Sequence, residues 1–158
     1  MARLDANRLA AWRGMQSTIA EVERAIDEEL RAEWDISLGW FDVLASLQRL
    51  GGTARPLVVA ADLRLPPSSI RRRLYRLEEE GWIARHRGVD TDDLRAVAVE
   101  LTRTGRRLWR EMNVTYRRAA QAHFALPLSD EQIDTLHDVI DLLTPEPEPD
   151  PEPDDDLY

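Results

Sequence analysis

The chain has 158 residues, 43% hydrophobic and 32% charged, which suits one soluble domain with a buried core. It contains no cysteine, which excludes disulfides, thiolate-held metals and thiol redox chemistry. The formal charge of −9 argues at first sight against a nucleic-acid partner; removing the seven carboxylates at the end of the chain leaves −2 for the body, so local charge decides.

Asp5 to Arg31 reads as one long helix. Trp12, Met15, Ile19, Val22 and Ile26 recur at alternating spacings of three and four, an apolar stripe suited to a core or to a partner helix. Leu38 to Leu50 predicts a second helix, ended by Gly51-Gly52, and Pro56 to Leu63 a short third. Pro66-Pro67 opens the next helix, where proline suits the first turn and Ser68 and Ser69 are left to cap or make first-turn contacts.

That helix, from Pro66 to Glu80, is amphipathic in an unusual way. At about 100° per residue, Ile70, Leu74 and Leu77 form one buried stripe. Ser68, Ser69, Arg72 and Arg76 fall opposite, flanked by Arg71 and Arg73, with Tyr75 at the border. Glu78, Glu79 and Glu80 gather at the C-terminal end, where the helix dipole disfavours them, and Gly81 supplies a left-handed cap.

The period then changes to two. Trp82 to His86 reads as one strand, and Val97, Val99 and Leu101 alternate on another, with a polar turn between them. A β-hairpin directly after a cationic helix is the wing of a winged helix. Thr102 caps a long helix reaching about Phe124, with Leu108, Met112 and Ala119 inward, and Pro127 ends it. Ser129 to Gln132 is a capping box for a last helix, in which Ile133, Leu136, Ile140 and Leu143 repeat at helical spacing.

The predicted fold is therefore mainly α with a small β-hairpin wing: a winged helix-turn-helix with N- and C-terminal dimerisation helices. Residues 1–143 form a single domain, with the DNA-binding head at about 38–102 and dimerisation helices at about 4–31 and 103–143. The terminal helices carry more apolar stripe than one winged helix needs, which predicts a homodimer joined through Trp12, Met15, Ile19, Ile133, Leu136 and Ile140. From Thr144 onward, proline alternates with acid, and residues 144–158 read as a disordered acidic tail.

Three segments carry a family resemblance: Trp40 to Leu44, Leu77 to Ile83, and Asp93 to Gly105, where Asp-x-Arg precedes alternating apolar residues and Leu-Thr-x-x-Gly. From about Leu4 to Leu143 the chain resembles the MarR family of bacterial winged-helix transcriptional regulators. The resemblance implies a triangular homodimer that sets two recognition helices in major grooves of a pseudo-palindromic operator in double-stranded DNA. It implies that Arg95 is the wing arginine and Asp93 its orienting partner; Arg87, in the polar turn, is a further candidate contact. The serine–arginine face from Ser68 to Arg76 would then read bases and phosphates. Proline at the start of that helix and the triple arginine depart from the usual pattern, so which arginine reads a base stays open.

Trp12, Met15, Trp34 and Trp40 are the candidate lining of a pocket for a small aromatic or phenolic effector, the ligand class the resemblance implies. The function expected is thus a sequence-specific transcriptional repressor released by such a ligand. The alternatives are a DNA-binding regulator without an effector and an acidic helical module that binds protein. No nucleophile–base pair or phosphate-cradling loop is present, so no enzyme is expected. His86, His123 and His137 lack ligand spacing, so no metal and no cofactor are expected. No apolar run reaches the ~18 residues of a membrane span and the first residues do not read as a signal peptide, so the protein is expected to be cytoplasmic, with no membrane partner.

Overall fold

In the computed structural model, residues 4–87 and 97–144 are described. Helix α1 (Ala6–Trp34) starts on Asp5, whose side chain accepts from the Arg8 amide. It runs past Arg31 because neither glycine nor proline intervenes; Asp35, at φ 55°, then turns left-handed and returns its N–H to the Arg31 carbonyl. Helix α2 (Leu38–Arg49) leads through Gly51 and Gly52, both at positive φ, into a two-residue strand β1 (Thr53–Ala54). Helices α3 (Pro56–Asp62) and α4 (Pro67–Glu79) follow, then strands β2 (Ile83–Arg87) and β3 (Val97–Leu101).

The expected hairpin is one edge of a three-stranded antiparallel sheet, ordered β1-β3-β2. Strand β1 was not expected, because two residues cannot show an alternating pattern; Thr53 faces Glu100 and Ala54 faces Val99. Helix α5 (Arg103–Ala120) is capped by Thr102 Oγ1, which accepts from the Gly105 amide and donates to the Gly81 carbonyl at 2.8 Å. Gly105 is required here: a Cβ would collide with the carbonyl of Trp82. The α-helical stretch stops short of Phe124 and relaxes into a π-helical turn, Gln121–Ala125, before Pro127. Helix α6 (Asp130–Leu143) begins with the expected capping box between Ser129 and Gln132.

Burial divides the molecule into two cores. Val43, Leu44, Leu47, Val59, Ile70, Leu74, Leu77, Ile83, Val99 and Leu101 form the core of the head. Ile26, Leu30, Ile36, Phe41, Met112 and Ala119 form a second, between α1, α2 and α5. Trp40, Trp82 and Trp109 pack against both, and the Trp40 and Trp82 rings meet edge to face at 6.1 Å. The head is thus joined to the outer helices by an aromatic seam, a contact type that resists sliding because the rings have a preferred geometry. No helix among the described residues is long and apolar enough to cross a membrane.

Candidate nucleic-acid interface

Helix α4 buries Ile70, Leu74 and Leu77 almost completely against the head core, which fixes its rotation. Its opposite face is thereby turned to solvent. Arg71, Arg72 and Ser68 are exposed, and Tyr75 keeps 57% of its surface. Arg71 and Arg72 form no ion pair with any described residue, so their guanidiniums are available to an anion. Pro66 occupies the cap position and no side chain caps the helix; the capping role expected of Ser68 and Ser69 is not taken up, because Pro67 has no N–H and the Ser69 and Ile70 amides donate to the Pro66 carbonyl instead.

The other two arginines are committed differently. Arg73 is partly buried and donates from Nη1 to the Gly39 carbonyl at 2.9 Å. It reaches that carbonyl because Gly39 has no side chain: a Cβ would stand 2.9 Å from the same nitrogen. Arg73, expected at the reading face, is therefore a tie between α4 and α2. Arg76 lies 5.9 Å over the Trp40 ring and pairs with Glu79 at 3.1 Å. Glu78 is likewise paired, with Arg85 of β2 at 2.7 Å. These pairs offset part of the dipole penalty on the acidic end of α4 and tie it to the sheet.

Arg87 is exposed at the last described position of β2, opposite Val97 of β3. Asp93 and Arg95 lie outside the described residues, as does the acidic tail from Pro145.

The four residues expected to line one effector pocket are not brought together. Trp12 and Met15 are exposed in the N-terminal half of α1, 51% and 37% respectively. Trp34 ends the same helix, roughly 33 Å away at 1.5 Å per residue. It donates from Nε1 to Thr115 Oγ1 at 2.9 Å, inside the second core. Trp40 sits in the aromatic seam. A rigid rod keeps these two pairs apart within one chain.

A different cleft does border α4. It has a volume of about 540 Å³ and lies between the end of α1, the start of α2 and α4. Trp40, Arg31, Arg72, Arg73, Arg76 and Asp27 line it. Burial would raise the Asp27 carboxyl, but the Arg31 guanidinium and the Leu38 amide outweigh it and hold the group below the usual carboxylate range. Asp27 thus stays ionised and holds the start of α2 against α1. In the sequence Asp27 and Arg31 do not stand out, because their i,i+4 spacing looks like an ordinary surface pair.

Near this cleft, Asp42 of α2 is pushed up to about 6, first by burial, with Glu23 adding to it and Arg73 and Arg49 opposing. A further group missed from sequence is Arg64, in the turn between α3 and α4, which adopts a left-handed φ of 52°.

Residues 40–87 match the model of the IclR helix-turn-helix domain. No curated protein matches the sequence. Solved structures do match over nearly the whole chain. A mutant of MarR from E. coli, complexed with operator DNA, is 23% identical with a TM-score of 0.77, covering 91% of this chain and all of its own. Sco3205, a MarR family transcriptional regulator from Streptomyces coelicolor in complex with DNA, is 20% identical with a TM-score of 0.80 and covers 90% of this chain and 89% of its own. The organohalide-sensing regulator RdhR-CbdbA1625, in its 2,4-dichlorophenol-bound form, is 23% identical with a TM-score of 0.74, covering 89% of this chain and 80% of its own. The winged helix-turn-helix of MarR family regulators is thus the fold of this chain.

Proposed function

We propose that this protein is a homodimeric, sequence-specific DNA-binding transcriptional regulator, in which α4 is the recognition helix. One observation carries the reading: α4 is pinned by three buried aliphatic side chains so that Ser68, Arg71 and Arg72 face solvent without a protein partner. Two matching structures hold DNA, and their fold is this one. Arg71 and Arg72 supply bidentate donors for guanine or phosphate, and Arg87 with Arg95 extends the contact along the wing. The homodimer is supported by α1 and α6, whose apolar residues Trp12, Ile19, Ile140 and Leu143 stand 48–64% exposed. No residue of α6 is buried within the single chain.

The finer role is a repressor released by a small aromatic acid or phenol. Its support is the cleft beside Trp40, which shares Arg72 and Arg76 with the reading helix, and the dichlorophenol held by one matching regulator. A ligand there acts only by binding one arrangement of α4 better than the other.

Fluorescence anisotropy on the DNA upstream of the protein's own gene, over a salt series, tests both. Wild type binds with steep salt dependence. Arg72→Ala loses about 1–3 kcal/mol and relaxes preference at one base, or loses affinity on all sequences alike if it holds a phosphate. Unchanged binding by both Arg71→Ala and Arg72→Ala sinks the assignment of α4. Release by salicylate-like acids that disappears in Trp40→Ala supports the effector; no release by any aromatic acid removes it.

A further inference from the structure

A second cationic groove lies on the other side of the wing strands, and nothing in the DNA-reading face accounts for it. Its walls are Ala84 and His86 of β2, Glu100 and Leu101 of β3, and Arg103, Arg106 and Arg110 of α5, enclosing about 390 Å³. Ala84 faces Glu100 directly in the ladder, and its small side chain leaves the floor open. The three arginines follow at spacings of three and four, so they stack along one face of α5 over roughly 10 Å.

The charge here is not balanced. Glu100 is the one carboxylate in the lining, held by His86 at 2.9 Å and by Arg106 at a loose 3.8 Å. Arg103 and Arg110 pair with no described residue, although acids outnumber lysine and arginine 30 to 21 in this chain. Arg24, Arg31, Arg49, Arg85 and Arg118 each have a carboxylate within 2.8 Å, whereas among the described residues Arg103 and Arg110 share the unpaired state of Arg71 and Arg72 on α4. Moreover, the first turn of α5 contains no acid, so Arg103 and Arg106 sit where the helix dipole opposes positive charge. Like charges stacked at this spacing also repel. Arg106 is held by Glu100 and lies against Gly52, but Arg103 and Arg110 break these local rules with no partner among the described residues, which marks a site that gains from something else.

We propose that this groove binds a small molecule carrying two phosphoryl groups. Three guanidiniums against one carboxylate leave a surplus of two positive charges, more than a monocarboxylate fills and enough to draw a phosphoryl polyanion. Guanidinium forks take phosphoryl oxygens bidentately, and Arg103 and Arg110, roughly 10 Å apart along α5, offer one unpaired fork to each of two phosphoryl groups. The groove volume is within the range of small-molecule sites. Since it spans β2, β3 and α5, an occupant clamps the base of the wing to the helix that follows it. The proposal does not depend on α4 reading DNA.

Calorimetric titration of the full chain with inorganic pyrophosphate, at about 0.15 M salt, tests it. Saturable 1:1 binding is expected, with orthophosphate at least tenfold weaker. Arg103→Ala/Arg110→Ala, both at exposed positions, weakens pyrophosphate at least tenfold without moving Tm, whereas Glu100→Gln strengthens it by freeing Arg106. Arg72→Ala leaves it unchanged. Absence of saturable heat, equal binding by the double variant, or loss in Arg72→Ala overturns the proposal. So does a double variant that loses DNA affinity when wild type binds no pyrophosphate, because the groove would then serve backbone phosphate.

Discussion

The head and the outer helices satisfy their apolar stripes in opposite ways. In the head, Leu44, Leu47, Leu74 and Leu77 are fully buried by neighbours from the same chain. Along α1, burial grows with distance from the N-terminus: Trp12 and Ile19 are exposed, Val22 is half-buried, and Ile26 and Leu30 are covered by α5. Along α6 only Ile133 and Leu136 are half-buried, and no residue is fully covered. A stripe with the same period therefore means a core in one region and an unfinished surface in the other. Periodicity reports which face is apolar, and topology decides whether the chain itself supplies the cover.

The sharpest way to break this contrast is to hollow out the head. Leu74→Ala removes a side chain with no solvent exposure, and a loss of ~2–5 kcal/mol is expected in urea unfolding. Stability unchanged within error would mean α4 is not seated as described. The complementary change, Ile140→Asp on α6, leaves the head's unfolding midpoint at high dilution in place. Self-association by ultracentrifugation weakens at least tenfold, about 1.4 kcal/mol. A variant that remains fully dimeric shows the cover lies elsewhere.

Asp42 sharpens the contrast where the two regions meet. Its carboxyl titrates at about 6 in the folded chain against an ordinary 3.8, so the folded state binds more protons between those values. Its contribution is most favourable below pH 4 and is lost as pH rises through 6. Asp42→Asn is expected to stabilise by ~1 kcal/mol at pH 8, discounted because the group is partly solvated, and to be neutral near pH 4. An equal effect at both pH values would show packing, and not charge, to be responsible. The smallest effect belongs to Arg64→Gly, which relieves a left-handed backbone and should raise Tm by a degree or two, at up to ~1 kcal/mol.

Much of this was legible in the residues. The α4 wheel identified its buried face, because three aliphatic positions among arginines leave one rotation; the capping box of α6 was equally explicit. Arg73 was not legible. Its position flanks the exposed face, and only the approach of Gly39, distant in sequence, turns it inward. Trp12 and Met15 do not meet Trp34 and Trp40 within one chain, because residue type carries no information about separation along a rod. Strand β1 was hidden by its length, and the clefts by needing three elements each.

Helix α1 belongs to both regions, and its 29 residues make a rod of about 43 Å. Its far end is exposed, and its near end is clamped to the head by Ile26, Leu30 and the Asp27 contact to Leu38. Such a rod is a lever. Rocking it by about 5° swings one tip by ~4 Å relative to the other, comparable with the rise of a base-pair step. Two copies hinged at their tips would convert a slight change of angle at the seam into a misfit of whole base pairs between their heads.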